Sequence, residues 1–252
     1  MATENQANIK LTIAYDGTRF SGWQAQGNTQ NTIQERIENA IHTVLGERVE
    51  LLGAGRTDAG VHSNGQVANF KTNANVEAAA LPALLNAQLP SDIAVIRAVK
   101  MPERFHARYN ATGKIYRYKI WNRPIQSPFH RKHSLWISEP LNLEAMREAA
   151  AQLVGTKDYN AFTTGKTKKS TVKTLSSITV EVVDGMTILT FCGNGFLYNM
   201  VRIMTGTIIE CGQNKRKPAS IADVFASQDR TMAGYTAPAH GLFLEAVHYE
   251  HR

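Results

Sequence analysis

Two changes of hydrophobic period constrain this chain more than its composition does. Ile9-Lys10-Leu11-Thr12-Ile13-Ala14-Tyr15 alternates with period two, as a half-buried strand does, and stops at Asp16-Gly17. The period then lengthens. Ile33, Ile37, Ile41 and Val44 mark one helical face, which Thr32 and Glu35 open as a capping box and Gly46 closes. Strands are predicted from Val49 to Ala54, from Gly65 to Lys71 and over Ile93-Ala94-Val95-Ile96. A helix is expected between Val76 and Gln88, with Pro82 kinking it or shifting its start. The order is β-α-β-β-α-β.

The second half repeats that order without evident sequence identity. Lys114 to Trp121 reads as a strand, with Tyr116 and Tyr118 on one face and Arg117 and Lys119 on the other. Leu143, Met146, Ala150 and Leu153 mark a helix that ends at Gly155. Ile178–Val183 and Met186–Phe191 flank Asp184-Gly185, a hairpin signal. Phe196 to Ile209 is an apolar helix, Ser220 and Asp223 cap a short one, and Leu242 to Tyr249 is a closing strand. The expected class is therefore α+β: two ferredoxin-like β-α-β-β-α-β units with antiparallel sheets side by side. The change-over near Phe105–Asn110 has no Pro/Gly-rich linker. The halves 1–107 and 108–252 should pack on each other rather than hang as separate beads.

Charge points to a polyanionic partner. The net charge is +7, and from Arg97 to Lys132 ten Lys and Arg face a single acid, Glu103. Phe105, Tyr109, Tyr116, Tyr118, Trp121 and Phe129 are interleaved among them, the pairing of cation and stacking surface that suits nucleic acid. Two more basic runs follow, Lys166-Thr167-Lys168-Lys169 and Lys215-Arg216-Lys217. No apolar run reaches the length of a membrane span, and the opening MATENQANIK lacks the regions of a signal peptide. Cys192 and Cys211 form no CxxC pair, so reduced thiols in a cytoplasmic protein are expected.

Several familiar motifs fail on spacing. Gly165-Lys166-Thr167 ends like a phosphate loop, but Asn160 stands where its leading glycine would be. Gly53-Ala54-Gly55 begins like a dinucleotide fingerprint, yet its sixth place is Asp58 and it leads toward a strand. His130 with His133, and His248 with His251, have HxxH spacing without a zincin glutamate; ordinary histidines and no metal are expected. The remaining candidate is GAGRTDAGVH, residues 53–62. If it is extended, Arg56 and Asp58 point the same way, and the glycines let another backbone approach. Read alone, the pair fits either a turn-capping acid with its ion-pair partner or a carboxylate kept ionised for nucleophilic work. No neighbouring acid completes a hydrolytic pair.

GAGRTDAGVHSNGQVANF closely resembles the active-site motif of the bacterial tRNA pseudouridine synthase A family. The resemblance runs through nearly the whole chain. YDGTRFSGWQ at 15–24 is similar to that family's opening motif, and Phe105–Arg108 and Lys114–Tyr118 to its central ones. Asn194–Arg202 resembles its FLYHMVR helix, with Asn199 where the family often has His, and Gly241–Leu244 resembles its last strand. The resemblance implies isomerisation of uridine to pseudouridine at positions 38, 39 and 40 of the tRNA anticodon stem-loop. It implies a homodimer that uses no metal and no organic cofactor, with the active cleft between the two units. It further implies that Asp58 is the catalytic aspartate, that Arg56 helps hold the flipped nucleotide, and that Tyr116 stacks on the base. Arg202 would pair with the carboxylate or, failing that, touch a phosphate. Leu242 or Leu244 would floor the base or simply fill the core; nothing in the sequence assigns His62.

Overall fold

The computed structural model describes residues 6–27, 31–165 and 170–250; the Lys166–Lys169 run and His251 lie outside them. In chain order the strands and helices are β1 (Ala7–Tyr15), α1 (Ile33–Leu45), β2 (Leu52–Gly53), β3 (His62–Thr72), α2 (Leu81–Asn86), β4 (Ile93–Met101) and β5 (Ala111–Asn122). They continue as β6 (Leu135–Ile137), α3 (Leu143–Leu153), β7 (Gly155–Asp158), β8 (Val172–Val183), β9 (Met186–Gly193), α4 (Met200–Gly212), α5 (Ile221–Ser227) and β10 (Leu242–Tyr249). This is an α+β chain. Its strand pairing is mixed, because β6 runs parallel to β5 while the other registers given below are antiparallel. Contacts divide it into two compact units, Met1–Thr112 with Leu244–Arg252, and Gly113–Phe243.

In the first unit the strand order is β4-β1-β3, with β2 against β3 on a short stretch and β10 also beside β3. Alternation sends Ile9, Leu11 and Ile13 to one face, where they meet Ile33, Ile37 and Ile41 of α1, Leu81 and Leu85 of α2, and Phe70. Thr32 caps α1 by accepting from the Glu35 amide, and Gly46 closes it in the left-handed region at φ 74°. Val67, one residue out of phase with Ala68 and Phe70, belongs to a smaller cluster with Ala54 and Ala107. There Asn69 accepts from the Ala107 amide (2.8 Å), and Asn8 donates to Phe105 O (2.8 Å), so Phe105–Ala107 is tied down by two carboxamides of the sheet. At the edge, β4 is held at Val95 by Asn86, whose amide both donates to the Val95 carbonyl (2.9 Å) and accepts from its N–H (2.8 Å).

Several elements depart from the sequence expectation for local reasons. The strand expected over Val49–Ala54 shrinks to Leu52–Gly53, because α1 side chains satisfy Leu51: Glu38 accepts its N–H and Gln34 donates to its carbonyl. Residues 78–80 form a 3-10 turn before α2 starts, with Pro82 in the first turn where its missing N–H costs nothing. The strand at Ile93 runs on to Met101.

The second unit carries the order β5-β9-β8-β7, antiparallel throughout. Asp184 (φ 49°) and Gly185 (φ 77°) make the β8–β9 hairpin. α3 and α4 pack together, and α4 is buried along most of its length apart from Arg202 and Glu210, in keeping with its largely apolar sequence. The element order here includes β6 and β7, which the sequence reading lacked. The helix expected from Phe196 begins only at Met200, because Asn199 sits at φ 60° and the chain turns there. Ser220 precedes α5 but does not cap it; its hydroxyl donates to Lys217 O instead.

Candidate active site

The loop carrying Asp58 is held in place by a segment 32 to 45 residues earlier in the chain. Tyr15 and Thr57 share a buried hydroxyl–hydroxyl bond of 2.8 Å. Trp23 donates its amide to Thr57 O (3.0 Å). Gly22, at φ 95°, brings its Cα so near the loop that an added Cβ would lie 2.8 Å from Thr57 O and 3.3 Å from the Asp58 carbonyl carbon. Gly17 lies closer still: a Cβ there would lie 2.0 Å from Val61 O. From within the loop Val61 donates to Asp58 O (3.1 Å), and from β3 Gln66 donates to Gly55 O (2.9 Å). Asp58 is half-buried and Arg56 exposed, with Arg56 Nε donating to Gln24 Oε1 at 2.9 Å. YDGTRFSGWQ is thus the cradle of the acid loop, a role no periodicity could have assigned.

His62 now has a physical account. It is 1% exposed, and its Nδ1 accepts from the Gly17 amide at 3.1 Å. Asp16 Oδ1 lies equally near that nitrogen but also accepts from Thr18, through both amide and hydroxyl. The fixed Gly17 N–H assigns the Nδ1 lone pair, which makes His62 a strut between the two segments.

Tyr116 and Arg202 belong to the second unit, whereas Asp58 and Arg56 belong to the first. Tyr116 stands on β5 opposite Phe191, mostly buried, with its ring edge-on to Phe196 at 5.1 Å and 81°. Tyr118, on the same face, is wholly buried. Its hydroxyl donates to Pro238 O (2.8 Å), and burial, helped slightly by Tyr235, pushes its phenol well above the ordinary range. It is a core residue and not part of an exposed stacking surface. Arg202, in the first turn of α4, donates Nε to Ala237 O (2.7 Å) and Nη1 to Asn199 Oδ1 (2.9 Å), while its own carbonyl accepts from Ala237 N (3.1 Å). Leu242 and Leu244 are both buried, and Ser63 donates to the Leu244 carbonyl (2.9 Å).

A family model described as tRNA pseudouridine synthase matches residues 11–110 and 149–250, which include Arg56, Asp58 and Arg202. This chain belongs to the tRNA pseudouridine synthase family. As a tRNA pseudouridine synthase it is an isomerase. It is 46% identical over 243 residues to a "tRNA pseudouridine synthase A" of Bacillus sp. (strain KSM-64), covering 96% of this chain and 99% of the relative. A protein of the same name from Thermoanaerobacter sp. (strain X514) matches at the same identity and coverage. "tRNA pseudouridine synthase A 2" of Bacillus anthracis is 43% identical over 243 residues, again 96% and 99% of the two chains. No helix among the described residues of this tRNA pseudouridine synthase is long and apolar enough to cross a membrane.

Proposed function

We propose that this isomerase converts uridine to pseudouridine at positions 38, 39 and 40 of the tRNA anticodon stem-loop, in the cytoplasm and as a homodimer, with Asp58 as nucleophile. The reaction breaks the C1′–N1 bond, turns the uracil, and forms a C1′–C5 bond; C5 loses a proton and N1 gains one. Water and electrons are neither consumed nor released. A carboxylate facing C1′ meets the positive character that develops there. Tyr116 offers a ring face that holds a uracil through its rotation. Arg56, exposed beside the acid and steered by Gln24, grips the extruded nucleotide. Arg202 pairs with the Asp58 carboxylate and aims it. The halves 1–107 and 108–252 are read as two ferredoxin-like units with sheets side by side, the first bringing the acid loop and the second completing the cleft. The β4-β1-β3 order of the first unit, with β2 on a short stretch of β3, supports the ferredoxin-like reading of that unit.

The observation that carries the proposal is the loop itself: a half-buried acid on a segment fixed by Tyr15, Gly17, Gly22 and Trp23. Asp58→Asn tests it, since it keeps size and removes charge. Tritium release from C5-labelled uridine in tRNA should vanish while filter binding of the same preparation stays near the parent, because phosphates supply most affinity. Turnover within about tenfold of the parent, a barrier change of only ~1.4 kcal/mol, would make Asp58 a turn residue.

A further inference from the structure

The N-terminus of α4 is built in an uncommon way. Asn199 precedes the helix at φ 60°, ψ 2°, a left-handed conformation that asparagine tolerates better than most residues. An asparagine at this place ordinarily caps the helix by accepting a backbone N–H, yet Asn199 makes no such bond. Both ends of its amide serve side chains instead. Oδ1 accepts from Arg202 Nη1 at 2.9 Å, and Nδ2 donates to Thr164 Oγ1 at 2.9 Å. The neighbouring pair is tied the same way, with Thr163 Oγ1 donating to Tyr198 O at 2.8 Å. Two adjacent threonines therefore brace two adjacent residues at the head of the helix.

The guanidinium of Arg202 is planar, so bonds on two of its nitrogens fix its plane. Ala237 O takes Nε and Asn199 Oδ1 takes Nη1. The second acceptor is a neutral amide. A carboxylate at 199 would hold the arginine in a local ion pair; a carboxamide orients it and leaves its charge to act elsewhere.

We infer that Asn199 is a positioning residue for Arg202: its amide, braced by Thr164, sets the plane of the guanidinium. This rests on the reading that Arg202 serves Asp58.

Steady-state tritium release and filter binding on the whole chain test the inference. Asn199→Gly adopts φ 60° without strain and removes only the amide. Its kcat should fall about tenfold to hundredfold, as for a lost bond to a charged group, with KM within about twofold. Asn199→His should hold kcat within about fivefold of the parent. Thr164→Val, which leaves Asn199 in place but unbraced, should lose about threefold to tenfold. In an Arg202→Met background, Asn199→Gly should add no further loss, because both act through one group. Parental kcat in Asn199→Gly beside a crippled Arg202→Met overturns the inference and leaves the Arg202 reading standing. Parental turnover in Arg202→Met overturns that reading itself, and the inference with it. Losses that add in the double variant place Asn199's action elsewhere and overturn the inference alone. If Asn199→Gly does not fold, parental kcat in Thr164→Val has the same effect.

Discussion

Gly17→Ala should disable the enzyme from a distance. The new Cβ would sit 2.0 Å from Val61 O and 2.7 Å from its carbonyl carbon, both backbone atoms, where real Cβ atoms keep at least 3.0 Å. Relief needs a shift of about 1 Å in one strand of chain or the other, since neither contact is with a flexible side-chain end. Val61 is bonded back to Asp58 O, and Gly17 to His62, so the shift is passed to the acid loop. Misplacing a reacting group by ~1 Å costs about a hundredfold in rate, or ~2.7 kcal/mol in the barrier. Overpacking should also cost roughly 1–3 kcal/mol of stability, read from urea denaturation. Tritium release should therefore fall about a hundredfold while tRNA affinity stays within about threefold. Gly27→Ala, whose Cβ would meet nothing within 4 Å, is the control. Lowered stability with turnover within threefold of the parent would refute the argument that this contact sets the position of Asp58.

Three further outcomes are expected. Arg202→Met should reduce turnover far more than affinity; a parallel fall in both would make Arg202 a phosphate contact. Burial pushes the Tyr15 phenol up to about 12 against the pull of its bonds to Thr57, Gln66 and Ser63. The neutral form is thus favoured in the folded state, so this stabilisation is whole below pH ~10 and is lost as pH rises toward 12, at ~1.4 kcal/mol per pH unit. Urea midpoints of Tyr15→Phe across that window should fall less steeply than those of the parent, and superimposable profiles would refute the assignment. The Arg97–Lys132 stretch should make the logarithm of tRNA affinity drop steeply with the logarithm of salt concentration; a slope near zero would rule out a basic RNA-binding surface there.

What could be read from the sequence followed the range of each interaction. Periodicity and capping placed β1, α1, β5, α3 and the Asp184-Gly185 hairpin, because those signals are local. Val49–Leu51 escaped the strand because Gln34 and Glu38, on a different element, claimed the backbone of Leu51. The head of α4 was misplaced for a similar reason: a hydrophobic run says nothing of Asn199 entering the left-handed region, which the two threonines hold from outside. At the candidate site, Asp58 and Arg56 stood out as an acid and an arginine among glycines, while the roles proposed for them came from the family resemblance. Gln24, Gly17 and His62 did not stand out, because their roles exist only when two segments some forty residues apart meet.

The amide of Asn86 has a consequence for life in a crowded cell. An outer strand with an open row of N–H and C=O groups is a template on which another chain can add. β4 lies at the end of its sheet, and Asn86 fills one donor and one acceptor position at Val95 as a neighbouring strand would. Arg97 and Lys100, both exposed, put like charges farther along the same strand. One carboxamide and two cations thus act as a stopper against edge-to-edge growth, so that a sheet with an exposed Ile96 in its last strand resists polymerising with its own copies.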